Sequence, residues 1–496
     1  MKEYILAFDI GTSAVKATLV SEDMRVVAET AETYPTYTAS SGVVEQCATD
    51  WWRAACMAAH CVLDNQAICS DRIACIGVSG HMLGLLPVSS SGVPLMRAMI
   101  HADTRASMQM QEISSVVGAD ALYNLTGNVL SPAAPLCKAL WLKQTRPSIY
   151  KRTARFLQSK DYLNYCLTGD LDSTDYSDAS HAMLIDIRKK EYLLDVFSEL
   201  GLQAEHFPTL HSSTQIIGCL TRNAAEKLGL HSGIPVIAGG GDGACASVGA
   251  GIGNNGDVYC SLGTTGWIAC NMVTPVVDEA RRVFNILSLD GEHSGVFGTV
   301  QCVGKAIAWA QRLFAPEGMA AFNQMAAETE AGSNGLIFLP YLEGERSPIF
   351  DEQARGVFFG IDSTHTRRHF ARAVFEGVSC ALSSVLNIMR EQIPISDMRV
   401  VGGGAKSILW KKILADVGHV KIWDVDVSAA AATSLGAAAA AGVAVGMYKD
   451  ISTASKNIRR LCLTAPDCAN EQAYSELMKR YSMLYPLLKP AFHLVD

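Results

Sequence analysis

Two short stretches, half a chain apart, share one grammar, and that repetition limits the possible folds more than any single motif. "AFDIGTSAVKATLV", from Ala7, and "YCSLGTTGWIACNM", from Tyr259, each carry an apolar strand into a Gly-Thr turn and out into a second strand. A supersecondary unit repeated in each half reads as a duplicated domain, with a ligand cleft between the copies. At 496 residues the chain is too long for one ordinary core, so two α/β domains are expected. The boundary is drawn close to residue 250, giving units 1–250 and 251–496, after the turn at Asp242 and before the second hairpin.

The remaining patterns fill in the elements. "YILAFDIGTSAVKATLVSEDMRVVAE" predicts a three-stranded meander, and "IACIGVSG" a buried strand of the parallel kind. "TDWWRAACMAAHCVLDN" predicts an amphipathic helix capped by Thr49 or Asp50, with Trp51 and Trp52 divided between core and pocket wall. "SPAAPLCKALWLKQTRPSIYKR" predicts a helix with a proline-marked end and Lys138 on its face. "MRVVGGGAKSILWKKILADV" reads as strand, triple-glycine turn and helix. The alanine-rich stretch from Ser428 reads as a tightly packed helix. His365 and His369, four apart without a third ligand, read as a solvated helix end.

A net charge of −8, with Lys and Arg scattered, argues against nucleic-acid or anionic-membrane partners. No run approaches the roughly 20 apolar residues of a membrane span, and "MKEYILAFDIG" lacks a signal-peptide pattern, so a cytoplasmic protein is expected. The 15 cysteines include no CxxC and sit among apolar neighbours, which suits core fillers in a reducing compartment. A small anionic ligand stays possible, because backbone N–H groups can bind phosphate without lysines.

Four turns follow that design: "FDIGTS", "GGGDGA", "SLGTTG" and "VVGGGAKS". Small residues let backbone N–H groups approach phosphate oxygens, and Thr and Ser add hydroxyl donors. No GxxxxGK[ST] is present, and "VVGGGAK" lacks the spacing of a dinucleotide fold. Asp9 either accepts turn N–H bonds or anchors Mg²⁺ through water beside a phosphate. Asp242, the only charge within "AGGGDGACASVGAG", is either a turn residue or a base for a substrate hydroxyl.

Taken together, these motifs resemble the FGGY carbohydrate kinases over essentially the whole chain. "SPAAPLCKALWLKQ" and "GVFFGIDSTHTRRHFARAVFEGV" are similar to the two family signatures, and "FLPYLEGERSP" and "GGGDGA" to further family motifs. The resemblance implies duplicated actin-like ATPase (ribonuclease H-like) domains around a central cleft, with ATP bound mainly by the C-terminal half and sugar by the N-terminal half. It implies Asp242 as the base and Asp9 for Mg²⁺. Gly11, Thr12, Ser13, Gly263, Thr264 and Thr265 would bind phosphates, and Gly403, Gly404 and Ser407 adenosine. His81, Met82, Asp103, Asp242 and Gly243 would line the sugar. The glycines beside Asp242 would clear room for sugar and triphosphate to meet. Glu345 and Arg346 would have a structural role near the hinge.

Within the family the nearest likeness is to the xylulokinases, through "VVEQCATDWW" and "SKDYLNYCLTGDLDSTDYSDAS". That implies γ-phosphate transfer from ATP to the terminal hydroxyl of a ketopentose, D-xylulose giving D-xylulose 5-phosphate, by a homodimer. The departures lie in the sugar pocket. Gln-Met-His-Gly becomes His81-Met82-Leu83-Gly84, the residue after the base is Gly243, and Trp-Asn-Asp becomes His101-Ala102-Asp103. A kinase for ribulose, gluconate or erythrulose therefore stays open, as does a non-catalytic sugar sensor on the same fold.

Overall fold

The computed structural model describes residues 3–39, 42–64 and 70–494. Strands β1 (Tyr4–Ile10), β2 (Ala14–Ser21) and β3 (Val26–Thr33) form the expected antiparallel meander. β4 (Ile73–Gly80) runs parallel to β1 and is buried along its whole length, which is why it reads as a continuous run of apolar and small residues. β5 (Ile216–Cys219) and β6 (Pro235–Ile237) complete a sheet ordered β5-β6-β4-β1-β2-β3.

Helix α1 (Ala48–Asp64) packs on β2 and β3. It begins before the expected caps, so Thr49 and Asp50 lie in its first turn, where the Asp50 charge meets the positive end of the helix dipole. Helix α2 (Pro135–Thr145) ends before Pro147, which opens a second helix, Pro147–Arg152. Proline lacks an N–H and fits a first turn, so it starts this helix as well as stopping the previous one. Helices α3 (Ser159–Thr168) and α4 (Asp242–Gly249) then frame the carboxyl end of β4.

The second sheet contains β7 (Val258–Leu262), β8 (Gly266–Met272), β9 (Phe284–Leu287), β10 (Ser294–Val300), β11 (Asp397–Val401), β12 (Lys421–Val425) and β13 (Arg460–Thr464). Its order, β9-β10-β8-β7-β11-β12-β13, repeats the six-strand path of the first sheet, with β9 added here and a short Gly240–Gly241 strand added beside β4 there. Directions match as well: the hairpin β7–β8 and its neighbour β10 are antiparallel, β7, β11 and β12 are parallel, and β13 is antiparallel. The duplication expected from two hairpins is thus present in both complete sheets.

Helices α5 (Arg367–Arg390) and α6 (Ile408–Gly418) pack together, and α7 (Ala429–Ala444) crosses to the other half. Ser428 caps α7 by accepting the Ala431 N–H at 3.1 Å. α7 lies against β1, β4 and α4, and its small side chains let backbones approach closely. One apolar cluster therefore spans both halves, joining Ile5, Ala7 and Val248 to Tyr259, Phe297 and Leu435. Among the described residues no cysteine forms a disulfide, and half of the cysteines are buried.

Candidate active site

In the first sheet one register row holds Asp9 of β1, Ser79 of β4 and Gly240. The carboxyl ends of three neighbouring parallel segments therefore meet at one edge, where α/β sheets bind ligands. Gly241 ends the third segment and Asp242 opens α4. No side chain among the described residues bonds the half-buried Asp242 carboxylate. Burial, and secondarily the nearby Asp9, push its pKa up to about 7. Asp9 is itself buried, with Lys16 Nζ 3.6 Å away, and burial raises its pKa against the pull of that lysine. The Gly11–Ser13 turn follows, with Thr12 and Ser13 exposed and the Thr12 carbonyl accepting from Gln46 Nε2 at 2.7 Å.

The glycines do not clear room for ligands as expected; protein occupies that space. A Cβ on Gly239, which has a φ of +70°, would lie 1.9 Å from the Val78 carbonyl oxygen. One on Gly240 would lie 2.2 Å from Leu289 Cδ2, and one on Gly241 2.6 Å from Met82 Sδ. Gly243 faces Ile286 and Phe297 of the second sheet, so both halves close on the start of α4.

Beyond β4 the chain passes through His81–Gly84. His81 is buried with both ring nitrogens unpartnered, edge-on to Trp51 at 5.5 Å and His101 at 6.0 Å. Burial pushes its pKa down to about 3, so the ring is neutral. Met82 packs beneath Gly241, and Leu83 adopts a left-handed φ of 62°. Lys138, expected on a helix face, is fully buried there. Its Nζ donates to the carbonyls of Leu83 and Ile100, each at 2.7 Å, and so fixes this loop from behind. Asp103 is buried, and its carboxylate accepts from Arg105 at 2.5 Å and the Val44 N–H at 2.8 Å. Trp51 is core, donating to Gln46, whereas Trp52 is half-buried.

In the second half the Gly263–Thr265 turn rests on residues 301–305. Thr264 is exposed, its carbonyl accepts the N–H groups of Val303 and Lys305, and Gly263 accepts that of Gly304. The triple-glycine turn lies alongside. Gly402 has a φ of +101°, and a Cβ there would come 2.7 Å from the Leu262 carbonyl oxygen. Gly404 is pressed against Trp410, but Gly403 is exposed, with no atom within 4 Å of where its Cβ would be. The Ser407 hydroxyl caps α6, accepting from the Trp410 N–H at 3.2 Å. Tyr259 and Trp267 link this half to α4: Trp267 Nε1 donates to the Tyr259 hydroxyl at 2.7 Å, and Ser247 donates to the same oxygen. His369 belongs to the capping box that opens α5, so the helix-end position holds, but the His365 side chain is buried and not solvated as expected.

The "SKDYLNYCLTGDLDSTDYSDAS" segment carries a network that its residue pattern alone did not reveal. Lys160, fully buried, lies 2.7 Å from Asp161, 3.3 Å from Asp175 and 3.4 Å from Asp178. Asp175 accepts from the Ser177 hydroxyl at 2.6 Å, and Ser177 accepts the Gly241 N–H at 2.9 Å. A chain of polar contacts thus runs from Lys160 to the residue before Asp242. Lys and Asp residues so close in sequence signal pairing, but which backbone they hold depends on the fold.

Comparison with known proteins gives a consistent result. The model of the FGGY family of carbohydrate kinases, N-terminal domain, matches residues 4–249, and that of the C-terminal domain matches residues 258–445. The xylulose kinase of Bacillus subtilis (strain 168) is 33% identical over 490 residues, 97% of each chain. Among solved structures, a ligand-bound xylulose kinase from Lactobacillus acidophilus superposes with a TM-score of 0.93 at 25% identity, covering 99% of this chain and 100% of that one. A gluconate kinase from the same organism also gives 0.93, at 26% identity and 99% coverage of both chains. The two-domain α/β architecture is that of the actin-like sugar kinases.

Proposed function

The chain belongs to the FGGY family of carbohydrate kinases, and from that premise we propose that it transfers the γ-phosphate of ATP to the terminal hydroxyl of D-xylulose. The observation that carries this reading is the Asp242 carboxylate, which no side chain among the described residues bonds, at the meeting point of the two halves, in a chain similar to a xylulose kinase over nearly its full length. Asp242 accepts the hydroxyl proton as the oxygen attacks the γ-phosphorus in line and the bond to the β-phosphate oxygen breaks. The Gly11–Ser13 and Gly263–Thr265 turns offer backbone N–H groups and exposed hydroxyls to the phosphates. The open face of Gly403 receives adenosine. The sugar rests against His81 and Met82. Asp103 and Ser407 act from behind, since their oxygens are engaged within the protein.

Among the described residues no three acidic, His or Cys side chains gather for a metal. A buried carboxylate such as Asp9 fits a Mg²⁺ ion that takes most of its ligands from phosphates and water, and the ion would neutralise phosphate charge. No helix among the described residues is long and apolar enough to cross a membrane. A homodimer in the cytoplasm is the assembly proposed, and light scattering on the purified chain reads its size.

Coupled ADP release over a panel of pentuloses, hexuloses, polyols and aldonates tests the substrate. D-Xylulose is expected to give the highest kcat/KM, and gluconate or ribulose in first place would overturn the choice. Gluconate has support of its own. Arg346 has no carboxylate within ion-pair distance among the described residues, and its charge adds to the burial that depresses the His181 pKa to about 4.

Leu83 bears on the discrimination. A leucine leaves a substrate hydroxyl unpartnered where a histidine would bond it, costing about 1–3 kcal/mol, roughly ten- to a hundredfold. Leu83→His is expected to raise the xylulose-to-alternative ratio of kcat/KM. The left-handed backbone tolerates His better than most residues. A wild type that turns over D-xylulose alone would show that Leu83 does not relax the site.

A further inference from the structure

Glu345 is buried, at 4% exposure, in the segment that follows β10 of the second sheet. Its Oε1 accepts two backbone N–H groups, from Gln301 at 2.6 Å and from Arg346 at 2.7 Å. Gln301 is the hub of the floor beneath the Gly263–Thr265 turn. Its carbonyl accepts the Thr265 hydroxyl at 3.1 Å. The next residues, Val303 to Lys305, donate three backbone hydrogen bonds to Gly263 and Thr264. The packing there is close: a Cβ on Gly304 would lie 2.6 Å from the Gly263 carbonyl oxygen. The segment bearing Glu345 is anchored in turn, through Ser347 N–H to the Thr299 carbonyl at 2.8 Å and a backbone bridge to Asp351.

We propose that Glu345 is a positioning residue for the Gly263–Thr265 turn, fixing it through Gln301. The turn has few restraints of its own, because it is a three-residue hairpin whose outer face is free for a ligand. Its donors point correctly only if the floor holds still, and the buried Glu345 carboxylate grips that floor from beneath at the Gln301 N–H. The inference rests on the reading of this turn as a phosphate site.

Calorimetric titration of the full chain with ADP and Mg²⁺, and separately with its best sugar, tests it. Glu345→Ala is expected to weaken ADP binding roughly ten- to a hundredfold, the cost of unpairing a buried backbone donor, and to leave sugar affinity unchanged. Glu345→Gln keeps an acceptor oxygen at the same reach and is expected to restore ADP affinity to within about threefold of wild type. If the alanine variant does not fold, Glu345→Asp, one methylene too short to reach Gln301, is expected to show the same selective loss. Unchanged ADP affinity in the Ala or Asp variant overturns the proposal. So does a parallel loss of sugar affinity, or a Gln variant as weak as Ala. A wild type that binds sugar but no ADP would instead sink the phosphate assignment of the turn, and this inference with it.

Discussion

Asp242 occupies the first turn of α4 without a side-chain partner among the described residues, so replacing it removes a charge and little else. Asp242→Ala is expected to retain the wild-type unfolding midpoint within a few degrees and its ADP affinity, while kcat falls at least ~10²-fold. Near-normal turnover on the best sugar would remove Asp242 from the mechanism. The carboxylate must be ionised to accept a proton, and burial has raised its pKa from 3.8 to about 7. kcat/KM should therefore rise with pH through about 7. Stability moves the other way: between those two values the folded state holds a proton that the unfolded chain has lost. Wild type is thus expected to lose stability relative to Asp242→Asn as pH rises from 4 to about 7, measured by urea denaturation at each pH. The residue's isolation was legible in the sequence, but its elevated pKa was not, because the fold sets both its main cause, burial, and the approach of Asp9 from more than two hundred residues away.

Among the elements, the turns divide into those open to a ligand and those filled by protein, and the glycines alone did not separate them. Gly403 is open, and its φ lies outside the left-handed region, so a side chain there costs the fold little. Gly403→Val is expected to raise the KM for ATP at least about tenfold, the equivalent of roughly 1.4 kcal/mol, and to move that for sugar much less. Equal changes would make the turn a folding element only. At 239–241 the same residue type serves the opposite end, admitting Val78, Leu289 and Met82. Lys138 makes a similar point. A lysine in a helix reads as solvated, yet α2 carries it inward to two carbonyls that nothing nearby in sequence announces.

Across the whole molecule the two halves are joined by backbone contact between α4 and α7. A Cβ on Gly436 would lie 1.9 Å from the Cys245 carbonyl oxygen, and one on Gly249 1.8 Å from that of Ala432. Gly436→Val must push the helices apart, and overpacking of this kind costs typically about 1–3 kcal/mol. Both the thermal midpoint and kcat are expected to fall, because α4 carries Asp242 at its start. A variant with wild-type melting and turnover would show that the α4–α7 contact gives way freely. Lys16 Nζ to the Ala430 carbonyl at 2.7 Å and Tyr448 OH to the Glu22 carbonyl at 2.6 Å cross the same junction.

The amino-acid sequence by itself determined the duplicated hairpins, the parallel strand at β4, the alanine-rich helix and the position of a lone aspartate in a glycine turn. Each of these is written in local periodicity or in residues whose backbone preferences act within a few positions. Tertiary structure alone decided that Asp9, Ser79 and Gly240 share one register row, and that Lys160 is linked through Asp175 and Ser177 to the residue before Asp242. It alone decided that Glu345 accepts the N–H of Gln301, 44 residues earlier in the chain. The physical reason is the same in each case: a buried polar group is paired with whatever backbone the fold brings to it, and local sequence does not specify that partner.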